Sequence, residues 1–500
     1  MLAQKDLPTE SVEIIRNFDA RLLDSEKIDI PPSLPPIDTT TKRQRYNIPA
    51  KTLSIPYPPP RIRPLALQTD PQSEAYKGYL KAGGGFPNSF YTDAAYHVFA
   101  QEKMNVGLNF NHHSASNSSN LENQRFAYSK VAGEGTFYNE QGLAVNGKLA
   151  YTSDNVFFYG YNAELEEGDT TSIPKEQVKQ TFSIFDVSAK VFNGTRTAGD
   201  INYSAGVDFY TMGDASPTTE TGFKLGVTGE KWFANAHPFR LNLITDFTRY
   251  STTTDSSQRL NNYFLQPNFT YRAQNFRIKV GANIASSDDE FSIFPDLELS
   301  ANVIESILTI FVGADGDLKK NNFRNLTNYN PFLSSRVVIK NTRYNNYYVG
   351  AKGSIQGITY RGEFAYKDAQ DLALFLDTLE ANDQYRFNAI YDDARILNIK
   401  GTVETVVEDF KIAATLSQNI YTMEVQEKPW HLPALEVNIG LQYATLENKL
   451  RFKAIYSFKW STLPRRKGEA NTLNGLFDVN LGVEYLLQKI SEPLLTFTIY

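Results

Sequence analysis

Few residues in this sequence have both the type and the spacing that a catalytic or metal-binding site requires. The five histidines are the first candidates. His112 and His113 are adjacent in a Ser- and Asn-rich stretch that is expected to be a loop. Neighbouring residues on an extended chain point to opposite sides, so this pair does not predict a shared metal site. His97 falls within an alternating run, where a position on a strand face explains it better than a role as general base.

The acidic residues give no clear ion site either. Asp315 and Asp317 flank Gly316, as in some calcium loops, but the further ligands and the closing Glu are absent at the required spacing, so a turn is expected. The sequence contains no Gly-x-Ser-x-Gly elbow, phosphate-binding loop or dinucleotide fingerprint. We therefore predict a protein that is not an enzyme, with no metal and no cofactor.

The composition excludes several further classes of protein. The 500 residues include 33 Phe and 29 Tyr but no Cys, the net charge is −6, and the mean hydropathy is −0.39. Without Cys the chain has neither disulfides nor thiolate metal sites, and no segment has the Lys and Arg density of a nucleic-acid-binding surface. No window approaches the ~18 apolar residues of a membrane helix, but membrane barrels distribute their apolar residues in alternation.

From about residue 79 the apolar residues recur at every second position. Met104, Val106, Leu108 and Phe110, for example, alternate with Asn and Gly. Side chains on a strand point alternately to its two faces, so each run has one apolar and one polar face. Roughly 22 such runs of about 9–12 residues suit strands that cross a bilayer in ~9–11 residues, whereas a soluble β-sandwich, the alternative, has strands of ~5–6 residues. The prediction is all-β: a transmembrane antiparallel β-barrel of about 22 strands over residues 76–500.

The connections and the aromatic residues agree with a barrel, because short periplasmic turns usually lie opposite long external loops and aromatic residues mark both interfaces. Aromatic side chains at predicted strand ends include Trp232-Phe233 and Trp460. Short turns are predicted near 153–155, 273–276, 304–307, 392–395 and 405–408, and longer loops near 112–123, 162–178, 252–262, 317–343, 368–383 and 461–475.

The polar residues of the alternating runs would face the lumen. Both signs of charge occur among them, so strong ion selectivity is not expected; a hydrated wall is the plainer interpretation and specific ligand contacts are the alternative. The predicted lumen wall includes Asn105, Asn109, Lys148, Asn202, Asp208, Lys224, Glu436, Gln442, Lys453, Asp478 and Glu484.

Residues 1–75 form a different compositional block. Residues 1–4 resemble the end of a cleaved signal peptide and are predicted to be its remnant. Runs such as Pro31-Pro32 and Pro58-Pro59-Pro60 fix φ and remove backbone donors, which favours extended chain. We predict a Pro-rich periplasmic tail that is too short to form a plug domain, for which ~100 residues or more would be expected.

Three stretches carry a resemblance to a known family: the opening Lys5–Ile15, the entry into the first run at Tyr76–Leu80, and Asn321–Ser334. In these stretches the chain resembles Bacteroidota outer-membrane β-barrel proteins that are similar to TonB-dependent receptors but lack the plug domain. The resemblance implies a location in the outer membrane of a Gram-negative bacterium. TonB-driven uptake acts on a plug, and no plug is evident here, so the resemblance does not by itself imply active transport.

The segment Glu10, Ser11, Val12, Glu13, Ile14 and Ile15 also looks like a TonB box. Such a segment would bind by adding a strand to the partner's sheet, which needs an extended peptide with alternating apolar residues. The expected partners are outer-membrane lipid and TonB or other envelope proteins, but not nucleic acid.

Two hypotheses of function follow. The first is a solute pore or uptake receptor with a polar lumen. The second is a non-transporting scaffold or accessory barrel in an envelope assembly or secretion complex, which the Pro-rich tail and the missing plug favour. Solute-dependent growth loss would support the first hypothesis, and stable co-purification with envelope proteins would support the second.

Overall fold

The computed structural model describes residues 77–499, except for residues 101–102, 120, 160–172, 196, 198, 216–217, 253–256, 289, 381–382, 465–469, 473–474 and 487–493. The predicted tail at 1–75, with its signal-peptide remnant and the TonB-box-like segment 10–15, lies outside the described residues. The domain boundary at residue 75 therefore stays a prediction.

The alternating runs form 22 strands, and the described residues also include one short α-helix, α1 (Phe323–Tyr329). The strands are β1 (Gly78–Gly85), β2 (Ser89–Ala100), β3 (Met104–Ser116), β4 (Arg125–Tyr138), β5 (Leu143–Phe157), β6 (Lys179–Asn193), β7 (Ile201–Gly213), β8 (Thr219–Phe233), β9 (His237–Ser251), β10 (Gln258–Arg272), β11 (Phe276–Ser287), β12 (Glu290–Ile304), β13 (Leu308–Asn321), β14 (Lys340–Ile355), β15 (Ile358–Glu380), β16 (Asp383–Val407), β17 (Phe410–Met423), β18 (Pro433–Thr445), β19 (Leu450–Pro464), β20 (Ala470–Thr472), β21 (Leu476–Leu486) and β22 (Leu494–Ile499).

The strands belong to one 22-stranded antiparallel sheet with simple connectivity. Each strand from β1 to β19 pairs with its neighbour in the chain, and β21 continues the order between β19 and β22. The three-residue β20 also pairs with β19. This order of consecutive antiparallel strands is the arrangement predicted from the sequence.

The two faces of the sheet differ sharply in polarity. One face, the apolar face, exposes large side chains such as Leu108, 59% exposed, and Val280, 55% exposed. The opposite face, the polar face, carries most of the charged strand residues and also Tyr210 and Tyr250, which contact α1 or its neighbours. Exposure of apolar residues on one continuous face is what contact with lipid requires.

The two ends of the sheet differ in the length of their connections. At the turn end the connections are short and include 234–236, 273–275, 305–307 and 408–409. Gln356 and Gly357 form a two-residue turn there, with φ of +50° and +84°, the left-handed geometry that a tight hairpin requires. At the loop end lie longer connections such as 117–124, 158–178, 322–339 and 424–432.

Several predicted turns and loops are wrong because strand pairing continues through polar residues. The predicted turns at 153–155 and 392–395 lie within β5 and β16, and most of the predicted loop at 368–383 belongs to the long β15–β16 hairpin. Asp315–Asp317 lies within β13, where Asp315 pairs with Asp296 and Asn346. His112 and His113 lie in β3, not in a loop. In the described part of the chain, no helix has the length and apolar character to cross a membrane.

Candidate functional site

The most distinctive feature of the structure is the connection between β13 and β14, residues 322–339, which we name the inset. It contains α1, whose first turn is capped by the Asn322 side chain accepting from the Asn325 N–H at 3.3 Å. Phe323, Leu326 and Leu333 are almost completely buried. These side chains would be exposed to water in an ordinary surface loop. Their burial shows that the inset packs against the sheet.

The apolar side chains of the inset pack between strands that lie far apart in the sheet. The Phe323 ring lies 6.2 Å from the Phe182 ring of β6 and 5.0 Å from the Tyr250 ring of β9. The Tyr329 ring stacks on Phe375 of β15, at 5.0 Å. One short segment can contact both β6 and β15 only if the sheet curls, and its contacts on β6, β8 and β9 lie on the polar face. The inset therefore lies in the interior of the curled sheet.

Glu220 of β8 holds the beginning of α1 and has no exposed surface. Its carboxylate accepts hydrogen bonds from the backbone N–H groups of Phe323 at 2.7 Å and Arg324 at 3.2 Å. The Asn322 amide and the Tyr210 hydroxyl also donate to it, each at 2.8 Å. The first N–H groups of a helix have no partner within the helix, so this carboxylate satisfies groups that burial would otherwise leave unpaired.

Arg324 ties the same turn of α1 to the wall. Its guanidinium forms a two-bond ion pair with the Asp186 carboxylate of β6, at 2.7 and 3.2 Å. It also lies over the Tyr210 ring, 4.6 Å from the ring centre. A two-bond Arg–carboxylate pair fixes orientation as well as distance. We name Glu220, Arg324 and Asp186 the latch.

The second half of the inset is held mainly through its backbone. Leu333 forms a parallel bridge with Phe387 of β16, where the Ser334 N–H donates to the Phe387 carbonyl at 2.8 Å. The Gln258 side chain of β10 donates to the Val337 carbonyl at 2.7 Å and accepts from the Ile339 N–H at 2.9 Å. The inset is thus tied to both β10 and β16.

The connection between β17 and β18 also contacts the inset. The Tyr329 hydroxyl donates to the His431 carbonyl at 3.0 Å, and the His431 ring packs edge-on against Phe387 at 5.0 Å. Burial lowers the pKa of His431 to about 4. The ring is therefore neutral near pH 7 and contributes an apolar contact.

All eleven predicted lumen-wall residues lie on the polar face, because the strand register aligns them with Asp186 and Glu220. They are Asn105 and Asn109 in β3, Lys148 in β5, Asn202 and Asp208 in β7, Lys224 in β8, Glu436 and Gln442 in β18, Lys453 in β19, and Asp478 and Glu484 in β21. None of them belongs to the latch, and their role as a hydrated wall stays a prediction.

Charges on the polar face are frequently paired with the opposite sign on a neighbouring strand. Lys453 forms an ion pair with Glu484, and Lys279 with Asp296 at 2.5 Å. Further pairs include Arg240–Glu230, Arg277–Glu298, Lys411–Glu404 and Lys459–Glu436. Among the described residues, no group of three or more His, Asp or Glu is arranged to hold a metal ion.

The inset and the latch residues were not predicted from the sequence. Asp186 and Glu220 fall at ordinary polar positions of alternating runs, so the pattern does not distinguish them from other wall residues. One signal was available: the predicted loop 317–343 contains Phe323, Leu326 and Leu333. A loop of that length with large apolar side chains is expected to pack on something.

A curled antiparallel sheet of long amphipathic strands, with its polar face inside and its apolar face exposed, defines a transmembrane β-barrel. This confirms the predicted fold class.

Solved structures of outer-membrane receptors share this fold. The FrpB iron transporter from Neisseria meningitidis matches with a TM-score of 0.62 at 8% identity, over 82% of this chain and 74% of that chain. The siderophore receptor PirA from Acinetobacter baumannii matches with 0.60 at 8% identity, over 82% and 73%. The pyoverdine outer membrane receptor FpvA from Pseudomonas aeruginosa matches with 0.58 at 10% identity, over 82% and 72%. The sequence itself matches no protein-family model and no curated protein.

Proposed function

We propose that this chain is an outer-membrane protein of a Gram-negative bacterium, similar to TonB-dependent receptors, that takes up a solute through the barrel. The inset closes this path, and transport requires its displacement from the wall. The observation that carries the proposal is the inset itself, which joins β6–β10 to β15–β16 across the polar interior. The likeness of fold to iron and siderophore receptors supports the same class of function.

The resemblance of the sequence supplies the finer parts of the proposal. We include a Bacteroidota origin, the absence of a separate plug domain, and a periplasmic tail at 1–75 whose segment Glu10–Ile15 engages TonB or another envelope protein. In this arrangement the inset takes the place of a plug at the loop end of the barrel.

A test of transport needs a variant that releases the inset and a second change that holds it in place. The double substitution Glu220→Ala/Arg324→Ala removes the wall carboxylate that binds α1 and the inset guanidinium that binds Asp186. Leu333 and Phe387 are bridge partners, so Leu333→Cys/Phe387→Cys brings two thiols within reach of a disulfide in a chain with no other Cys.

The measurement is sucrose flux from proteoliposomes. We expect flux through the latch variant, loss of that flux when the cysteine pair is added and oxidised, and its return on reduction. The single substitution Leu333→Cys in the latch variant is the matched control and should conduct under both conditions. A folded latch variant without flux would contradict transport.

The scaffold function remains as a second proposal because the inset shares one buried apolar cluster with the barrel wall. Phe323, Leu326, Leu333, Val337 and Ile339 all belong to one buried cluster, and a core of this kind suits permanent closure. Stable co-purification of the chain with envelope proteins, together with no flux from the latch variant, would favour the scaffold.

A further inference from the structure

A second feature at the loop end is a cavity of about 420 Å³ between the inset and the ends of β3, β4 and β5. Its lining includes Phe126, Phe157, Tyr159 and Phe332, with Arg125 and Ser116 among the polar groups. Small-molecule sites in proteins are concave, largely apolar and about 300–1,000 Å³ in volume, with a few polar groups that orient the ligand. The cavity has this composition and lies at the lower end of that size range.

The aromatic residues of the cavity come from both the barrel wall and the inset. The Phe332 ring of the inset lies 5.2 Å from the Phe158 ring and 6.3 Å from the Tyr159 ring. The Arg125 guanidinium lies over the Phe157 ring, 5.5 Å from its centre. Flat aromatic walls of this kind favour a flat ring as ligand, because offset and edge contacts between rings are attractive.

Arg125 provides the polar anchor of the cavity. Its Nε–H is buried, and among the described residues it has no hydrogen-bond partner. A buried donor without a partner costs free energy, and a guanidinium prefers a planar anion that accepts two bonds at once. A guanidinium that lines an otherwise apolar cavity therefore favours a ligand with an anionic group.

We propose that this cavity binds a flat aromatic molecule of one or two rings that carries a carboxylate or a similar anionic group. The ring packs among Phe157, Tyr159 and Phe332, and the anionic group accepts from Arg125. The inference rests on the proposed function in one respect: because Phe332 belongs to the inset, the bound molecule contacts the segment that closes the barrel. Binding itself does not depend on transport.

The test is calorimetric titration of the full chain in detergent with 2-naphthoate and with its neutral analogue 2-naphthamide. We expect saturable binding of naphthoate, with the amide weaker by about tenfold or more because it lacks the charge-assisted bond. Arg125→Gln should weaken naphthoate binding by about tenfold and leave amide binding nearly unchanged. Phe332→Leu should weaken both ligands several-fold, because it removes a shared aromatic wall.

The matched control is Arg272→Gln, since the Arg272 guanidinium also lies over an aromatic ring, that of Trp232, at 5.3 Å, but near the turn end. It should bind naphthoate as the unaltered chain does. If Arg125→Gln does not fold, Arg125→Lys keeps the charge but not the planar pair of donors and should still weaken binding several-fold.

Absence of saturable binding, equal affinity for naphthoate and the amide, or equal effects of the Arg125 and Arg272 substitutions would each overturn the proposed site. Those results would leave sucrose flux from the latch variant intact. Naphthoate binding without any flux would instead support the cavity and contradict the transport function.

Discussion

At the scale of single residues, the buried Glu220 carboxylate accepts four hydrogen bonds, and three of the donors belong to the inset. The substitution Glu220→Gln keeps the shape but removes the charge and turns one acceptor into a donor facing backbone N–H groups. We expect the inset to be held more weakly, by roughly 1–3 kcal/mol. The measurement is the rate of limited proteolysis within residues 322–339 in the folded barrel.

The control for this prediction is Glu140→Gln. Glu140 lies at the turn end and pairs with Lys103 at 2.7 Å, but its side chain is largely exposed, and exposed pairs contribute little. Equal proteolysis of the two variants would mean that Glu220 does not hold the inset.

Asp214, in the connection between β7 and β8, makes the stability of the loop end depend on pH. Burial raises the pKa of Asp214 to about 6, although the Gln180 amide at 3.4 Å and the charge of Arg386 act in the opposite direction. The folded chain thus holds a proton that the unfolded chain releases near pH 4, so this stabilisation is full below about pH 4 and is lost as the pH rises through 6.

Asp214→Asn should remove that loss, because the amide is neutral at every pH. We expect the variant to be more stable than the unaltered chain at pH 7.5, by about 1–3 kcal/mol, and the difference to shrink towards pH 4. Urea unfolding at the two pH values measures this, with the exposed Asp288→Asn as control. A gain that is equal at both pH values would contradict a raised pKa.

At the scale of elements, the strands could be predicted from the sequence and the inset could not. Apolar and polar residues alternate along a strand when one face of the sheet is apolar, so the sequence indicates the face of each residue. On this basis residues as distant as Asn105 and Glu484 were correctly placed on the same face. It fails where pairing continues through polar residues, as in the β15–β16 hairpin, because hydrogen bonds between strands do not depend on side-chain polarity.

The inset escapes prediction for a related reason. Its position depends on contacts with residues far away in the chain, such as Asp186, 138 positions from Arg324, and Gln258, 79 positions from Val337. The alternation of apolar and polar residues along the chain carries no information about such contacts. The cavity beside Phe332 arises from the same long-range packing, because its walls come from β3–β5 and from the inset.

At the scale of the whole molecule, the polar face carries charges of both signs, and many of them form ion pairs. Pairs such as Lys279–Asp296 and Arg240–Glu230 join neighbouring strands. The expectation that such a wall passes hydrated solutes without strong ion selectivity stays a prediction. In the proposed function, passage is then controlled by displacement of the inset.

Single-channel conductance in planar bilayers measures directly whether the inset closes the barrel. The full chain is compared with a variant in which residues 323–337 are replaced by a short Gly-Ser linker, and with Lys103→Ala as a control at the turn end. We predict a large, steady conductance for the linker variant and small or no conductance for the other two. Equal conductance of all three folded proteins would show that the inset does not control the path through the barrel.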